Sequence, residues 1–157
     1  MIKVLFICHG NICRSPMAEF VLKDMVKKEG MESQFHIESR ATHTDEIWDG
    51  EGSPVYPPAK KILNANGISC DGKRAELLKK SDYDTFDYLI GMDHENIRWM
   101  RRITDGDPDF KMSLLKEYST GGGVISDPWY TRDFETAYNE IVDGCKGLFE
   151  YLKGHES

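Results

Sequence analysis

Cys8 and Arg14 are the residues whose types and spacing first point to a reaction. Cys8 ends the apolar run Val4-Leu5-Phe6-Ile7, rich in β-branched and aromatic side chains. A small polar loop follows, His9-Gly10-Asn11-Ile12-Cys13-Arg14-Ser15, and Pro16 then opens a segment of helical periodicity. Strand, tight loop and helix in that order build an anion site. Successive loop N–H groups point inward, and the helix N-terminus adds its partial positive charge. Gly10 and Asn11 are residue types that accept the positive φ such a loop needs. Arg14 adds a planar fork of donors suited to a tetrahedral oxyanion. A thiolate at Cys8 is stabilised by the same amides, helix end and guanidinium, and it stands where it can attack phosphorus. The plainer alternative is a buried strand-end cysteine next to a helix-capping Ser15. Cysteine, five residues, arginine and then serine, at a strand-to-helix turn, favours chemistry over that alternative.

The elements that must position this loop can be read along the chain. Residues 17–29 carry apolar side chains at Met17, Phe20, Val21, Met25 and Val26, a helical spacing that Gly30 ends. Residues 35–40 alternate as a second strand. Strand, helix, strand predicts a parallel pair with a right-handed crossover. Residues 41–58 have no clear period and hold Trp48, two glycines and three prolines, so a long functional loop is expected there. Helix is predicted over 59–66 and a short basic helix over 73–80. Residues 87–92 form a third strand, Asp93 caps a helix over 95–102, and 111–118 form a fourth strand. Residues 119–123 are a glycine-rich loop that could control access to the site. Asp133 caps a last helix running to about Tyr151. Alternation of strands and helices predicts a three-layer α/β domain.

From Cys8 to Pro16 the chain resembles the signature of the low-molecular-weight protein tyrosine phosphatases, Cys-x-Gly-Asn-x-Cys-Arg-Ser-Pro. A second mark of that family, an Asp-Pro followed by two aromatics, is matched by Asp127-Pro128-Trp129-Tyr130. The resemblance covers essentially the whole chain. It implies one domain over residues 1–157, of phosphatase I-like αβα architecture, with a four-stranded parallel sheet in the order 2-1-3-4. That order puts Cys8 in the crevice at the carboxyl ends of the strands.

The resemblance also implies roles. Cys8 is the nucleophile, Arg14 and the loop amides hold the equatorial oxygens, and Asp127 is the acid for the leaving group and then the base for water. On its own Asp127-Pro128 is a common turn; beside the signature it becomes a catalytic candidate. Ser15 matches a serine that donates to the thiolate, and Asn11 an asparagine that holds the loop. Asp93 matches an aspartate behind the site, though a plain helix cap reads as well. Many members carry a histidine that supports the loop asparagine; here residues 68–74, Ile-Ser-Cys-Asp-Gly-Lys-Arg, contain none. A different support is therefore expected. Trp48, Trp129 and Tyr130 are candidates for cleft walls that would stack on an aromatic substrate, with His9, Gly10, Ile12 and Cys13 completing the loop surface. His9 is expected to face solvent without a catalytic role. Members that act on phosphoarginine have threonine where this chain has Ile12, whose apolar surface suits a phenyl ring.

The expected function is hydrolysis of phosphotyrosine through a cysteinyl phosphate, with a phosphotyrosine-containing protein as partner and inorganic phosphate as product. No metal or cofactor is required; Cys8 and Cys13 have zinc-like spacing, but no second ligand pair accompanies them. One rival is a thioredoxin-coupled arsenate reductase, which needs a relay of further cysteines close together. Only Cys70 and Cys145 remain, and they lie far apart in sequence. A binding module that kept only the cradle is a second rival, and a phosphoarginine phosphatase a third. The net charge of −7 argues against nucleic acid and against anionic membranes. No signal peptide or spanning run is apparent, and four scattered cysteines make no disulfide framework, so a reducing cytoplasm is expected.

Overall fold

The computed structural model describes residues 1–155; the last two residues of the expected 1–157 domain lie outside the described residues. The centre of the fold is β1 (Ile2–Cys8), parallel to β2 (Phe35–Ala41) on one side and to β5 (Tyr88–Gly91) on the other. β6 (Met112–Leu114) pairs with β5, so the sheet order is β2-β1-β5-β6. The two strands left out of that count form a separate hairpin, and the sheet has the predicted 2-1-3-4 arrangement.

β1 is covered on both faces, which is why it reads as an unbroken apolar run. Val4, Phe6 and Cys8 share one cluster with α1 (Arg14–Lys28), α2 (Pro57–Ala65) and α6 (Phe134–His155). Leu5 and Ile7 face the opposite side, with Tyr83 of α3 (Asp82–Thr85) and Met100 of α4 (His94–Ile103). Val4, Leu5, Phe6 and Ile7 are fully buried, and each stabilises the fold by about 1.5–3 kcal/mol relative to exposure. The strand end that carries Cys8 is therefore firmly anchored. Helix α6 can press on a 3-10 turn at Leu115–Tyr118 because Gly147 has no Cβ, which would sit 1.7 Å from the Tyr118 carbonyl oxygen. No helix among the described residues is long and apolar enough to cross a membrane.

Several predicted elements change. Residues 73–80 are not a helix. They run extended, tied by bridges from Leu77 to Ala41 and from Arg74 to Pro54, and those distant partners override the local charge pattern. The fourth strand stops at Leu114, where the chain tightens into the 3-10 turn. Helix α1 begins at Arg14, inside the loop rather than after it. The stretch expected to be irregular contains a hairpin, β3 (Ile47–Trp48) and β4 (Glu51–Gly52), closed by Asp49 and Gly50 at φ 51 and 77. That is the mirror-image turn that suits an Asp-Gly pair. Gly52 lets the hairpin lie against residues 74–75, since a Cβ there would meet the Ala75 carbonyl oxygen at 1.9 Å.

Candidate active site

The carboxyl ends of β1 and β5 open into a cleft of about 480 Å³, lined by Cys8, His9, Gly10, Ile12, Cys13 and Arg14 on its floor. The loop between β1 and α1 turns at Asn11, whose φ is 59. Gly10, expected to share that role, has no positive φ. A Cβ there would meet Glu46 Cγ at 3.4 Å, an ordinary contact, so space does not demand glycine there either. Among the described residues the N–H groups of Gly10, Asn11, Ile12 and Cys13 donate to no protein acceptor. Cys13 is the N-cap residue of α1 and its side chain makes no capping bond. These unspent donors and the helix end are left available to an anion beside Cys8.

Arg14 is 3% exposed. Its Nη1 donates to Asp93 Oδ2 at 2.8 Å and to the Ile125 carbonyl at 3.0 Å, and its Nη2 lies 3.5 Å from Asp127 Oδ2. Burial opposes its charge, but Cys8, Asp93 and Asp127 outweigh that, so its pKa lies above the ordinary value. Asp93 satisfies both readings of the sequence. One oxygen caps α4 by accepting from Asn96 N–H at 2.8 Å, and the other holds Arg14. Asp127 caps the short helix α5 (Pro128–Thr131) with Oδ1, which accepts from Trp129 N–H at 3.0 Å. That leaves Oδ2 facing the guanidinium.

Ser15 lies inside α1 rather than capping it, and its Oγ is 3.0 Å from Cys8 Sγ. Asn11 Nδ2 donates to Ser15 Oγ at 2.8 Å and to Ser39 Oγ at 2.9 Å, while its Oδ1 accepts from Glu76 N–H at 3.0 Å. Cys13 is buried, and desolvation, with Cys8 and Asp127 nearby, pushes its thiol up to about 12. All four cysteines are free thiols.

Trp129 and Tyr130 line the cleft as expected, with Tyr56 edge-on to Trp129 at 5.5 Å. Trp48 does not. Alternation along its strand turns Ile47 toward Ile12 and Cys13 and leaves Trp48 72% exposed outside the cleft. The aromatic on the opposite wall is Trp99, from α4, which the sequence reading missed. Its Nε1–H donates to Glu95 at 3.0 Å. Its ring stands edge-on to His43 at 4.8 Å, and His43 stacks on His9 at 4.1 Å. His9 is half exposed and bonds Asp45 at 2.6 Å, so it is part of the rim rather than a free solvent-facing ring. Also missed were Glu19, Ser39 and Lys73 behind the loop. A signal existed for Ser39, which shares strand parity with buried Phe35 and Ile37 and so marks a polar side chain at a core position. The glycine-rich loop at 119–123 contributes nothing to the cleft lining.

A buried cysteine, unpartnered loop amides, a buried arginine and an aspartate thus line one cleft, an arrangement that suits an oxyanion. Residues 3–157 match the family described as low molecular weight phosphotyrosine protein phosphatase, and the chain belongs to that family. It is 37% identical over 155 residues to the low molecular weight protein-tyrosine-phosphatase YfkJ of Bacillus subtilis, covering 98% of this chain and 97% of that one. It is 38% identical over 152 residues to the corresponding phosphatase of Gallus gallus, covering 94% and 93%. The crystal structure of YfkJ superposes with a TM-score of 0.92 at 35% identity, over 100% of this chain and 98% of that one. That of the Streptococcus pyogenes low molecular weight protein tyrosine phosphatase gives 0.83 at 39%, over 99% and 100%.

Proposed function

We propose that this chain, acting as one domain, hydrolyses phosphotyrosine in a protein substrate and releases inorganic phosphate. The observation that carries the reading is the convergence of Cys8, the unspent loop amides, Arg14 and Asp127 on one cleft walled by aromatic rings. Cys8 Sγ attacks phosphorus as a thiolate, and the P–O bond to the phenolic oxygen breaks. Asp127 gives its proton to that oxygen. The cysteinyl phosphate is then cleaved by water, whose proton Asp127 takes back, and the thiolate leaves toward the Ser15 hydroxyl. Arg14 and the loop amides bear the charge on the equatorial oxygens throughout. Among the described residues only Cys8 and Cys13 of the sulfurs line the cleft, which gives an arsenate-reducing relay no third thiol there. Four unpaired thiols suit a reducing cytoplasm.

The test is hydrolysis of p-nitrophenyl phosphate and of a phosphotyrosine peptide. The wild-type protein should turn over both, and Cys8→Ser neither. Asp127→Ala should lose ~10²–10⁴-fold in kcat, the usual worth of a general acid, while vanadate still binds. A wild type that binds vanadate but hydrolyses nothing would establish the binding module instead. Equal loss of turnover and vanadate binding in Asp127→Ala would remove the acid assignment.

A further inference from the structure

We infer that Lys73 is a positioning residue for the phosphate loop: it neutralises buried Glu19, Glu19 takes the Ser39 proton, and Ser39 so held anchors Asn11, whose other amide proton goes to Ser15 beside Cys8. The inference rests on the reading of Cys8 as a thiolate nucleophile. It also supplies the support that residues 68–74 lack in having no histidine.

The chain of donors has one consistent direction. Asn11 is 1% exposed. Its Oδ1 accepts from the Glu76 backbone N–H, which can only donate, so the amide orientation is fixed. Nδ2 must then place two protons, and they go to Ser15 Oγ and Ser39 Oγ. Each serine accepts from Asn11 and keeps its own proton to give. Ser39 gives its proton to Glu19 Oε1 at 2.5 Å. Ser15 has Cys8 Sγ at 3.0 Å, so its proton faces the sulfur. A carboxylate, which only accepts, gives the Ser39 proton its place at the end of this row. A protonated Glu19 would offer Ser39 a competing donor and take away the acceptor of its proton, loosening the hold of Ser39 on Asn11.

Holding Glu19 as a carboxylate at 3% exposure requires a cation. Two are present. Lys23 Nζ is 2.6 Å from Oε2, but its side chain is 42% exposed and shared with solvent. Lys73 Nζ is 3.4 Å from Oε1, the oxygen Ser39 uses, and its side chain is 9% exposed. Lys73 also donates to the Ser39 carbonyl at 3.0 Å, which ties the cation to the strand as well as to the carboxylate. It can reach this place because its segment is extended, with Glu76 carbonyl accepting from Ala41 N–H at 2.7 Å. The pair opens on a cavity of about 740 Å³ behind the loop, whose other charged groups are Lys23, Asp24 and Lys27 of α1, Glu32, His36 and Glu38 near and on β2, and Glu76. His36 and Arg40 pair with Glu38, and Arg40 also faces Glu76 at 3.6 Å.

The experiment compares Lys73→Met, Lys73→Arg and Lys73→His across pH, with two readouts. One is kcat/KM on p-nitrophenyl phosphate. The other is the rate at which iodoacetate alkylates Cys8, followed on its peptide by mass spectrometry. Lys73→Met should lower both at least about ten-fold, the equivalent of ~1.4 kcal/mol, and Lys73→Arg should keep most of each. An imidazole beside a carboxylate titrates at or above its usual ~6.5. Relative to Lys73→Arg, Lys73→His should therefore be active at pH ~6 and decline toward the methionine variant by pH ~9, because only the protonated ring neutralises Glu19. A lysine that merely fills space predicts a ratio flat in pH, and that result overturns the inference, as would Lys73→Met equal to Lys73→Arg in both readouts. If Lys73→Met does not fold, the histidine-to-arginine ratio decides alone. A wild type with reactive Cys8 but no hydrolysis would sink the phosphatase reading, and the alkylation ratios would still judge the network.

Discussion

Asp93 holds Arg14 with one carboxylate oxygen, 2.8 Å from Nη1, while its other oxygen caps α4. The two duties can be separated. Asparagine caps a helix about as well as aspartate, so Asp93→Asn should keep α4 and lose only the charge facing the buried guanidinium. The expected result is a several-fold loss of vanadate affinity with a small drop in Tm. Asp93→Ala should lose the same affinity and a further ~1 kcal/mol of stability from the missing cap. Titration and thermal melts on both variants check this; equal Tm in the two would show that the cap carries no stability.

Ile12 lies in the cleft floor at 8% exposure, packed beside Cys13 and Ala75. Its apolar surface favours a phenyl ring over a guanidinium, a difference that typically amounts to ~1–3 kcal/mol. Wild-type kcat/KM should be higher on phosphotyrosine than on phosphoarginine peptides, and Ile12→Thr should move the ratio toward phosphoarginine. A wild type that prefers phosphoarginine would reassign the substrate and leave the chemistry in place.

Cys13 is held as a neutral thiol, with its pKa pushed up to about 12 by burial, Cys8 and Asp127. Oxidation of Cys8 to a sulfenic acid removes one of those opposing charges and presents an electrophile in the same loop. Peroxide should therefore inactivate the wild type reversibly, with a Cys8–Cys13 disulfide visible by mass spectrometry. Cys13→Ser should progress to irreversible loss. Full recovery of the oxidised variant on adding thiol would rule out the trapping role.

Burial, helped by His9, pulls the His43 pKa below its usual value, against Asp45 and Glu95. Protonating this ring therefore costs more in the folded chain than in the unfolded one. The stability it contributes is present above the ordinary ~6.5 and is lost as pH falls through the depressed folded value. Tm should decline between pH ~7 and ~5 and decline less in His43→Phe, which keeps a ring to stack. Asp45, whose carboxyl His9 holds below the usual range, loses its contribution only in more acid solution. Parallel melting curves for wild type and variant would remove His43 as the source.

The loop from Cys8 to Ser15 was legible because everything it needs is local: an apolar strand, tight-turn residues and a helix start. Asp93 was legible as a cap and Asp127 as a turn residue beside the signature, and both cap a helix with one oxygen and face Arg14 with the other. The failures are where distant partners decide. Residues 73–80 carry a helix-like charge pattern but are held straight by Ala41 and Pro54. Lys73 and Glu19 lie on segments far apart in sequence, and only the fold brings them together behind Asn11. Trp48 and Trp99 exchanged places as cleft walls because a two-residue strand faces Ile47 inward, a choice set by packing rather than composition.

Arg14 finds its three partners 79, 111 and 113 positions further along the chain. The reactive loop is thus written near the beginning and armed near the end. Contacts of such long range close late and cooperatively. Until those partners are in place, Arg14 stands beside Cys8 as an unanchored cation. A chain cut before Asp127 keeps the signature but has neither the proposed acid nor that end of the clamp. On the proposed mechanism such truncated copies should be silent, so that the chemistry waits for folding to finish.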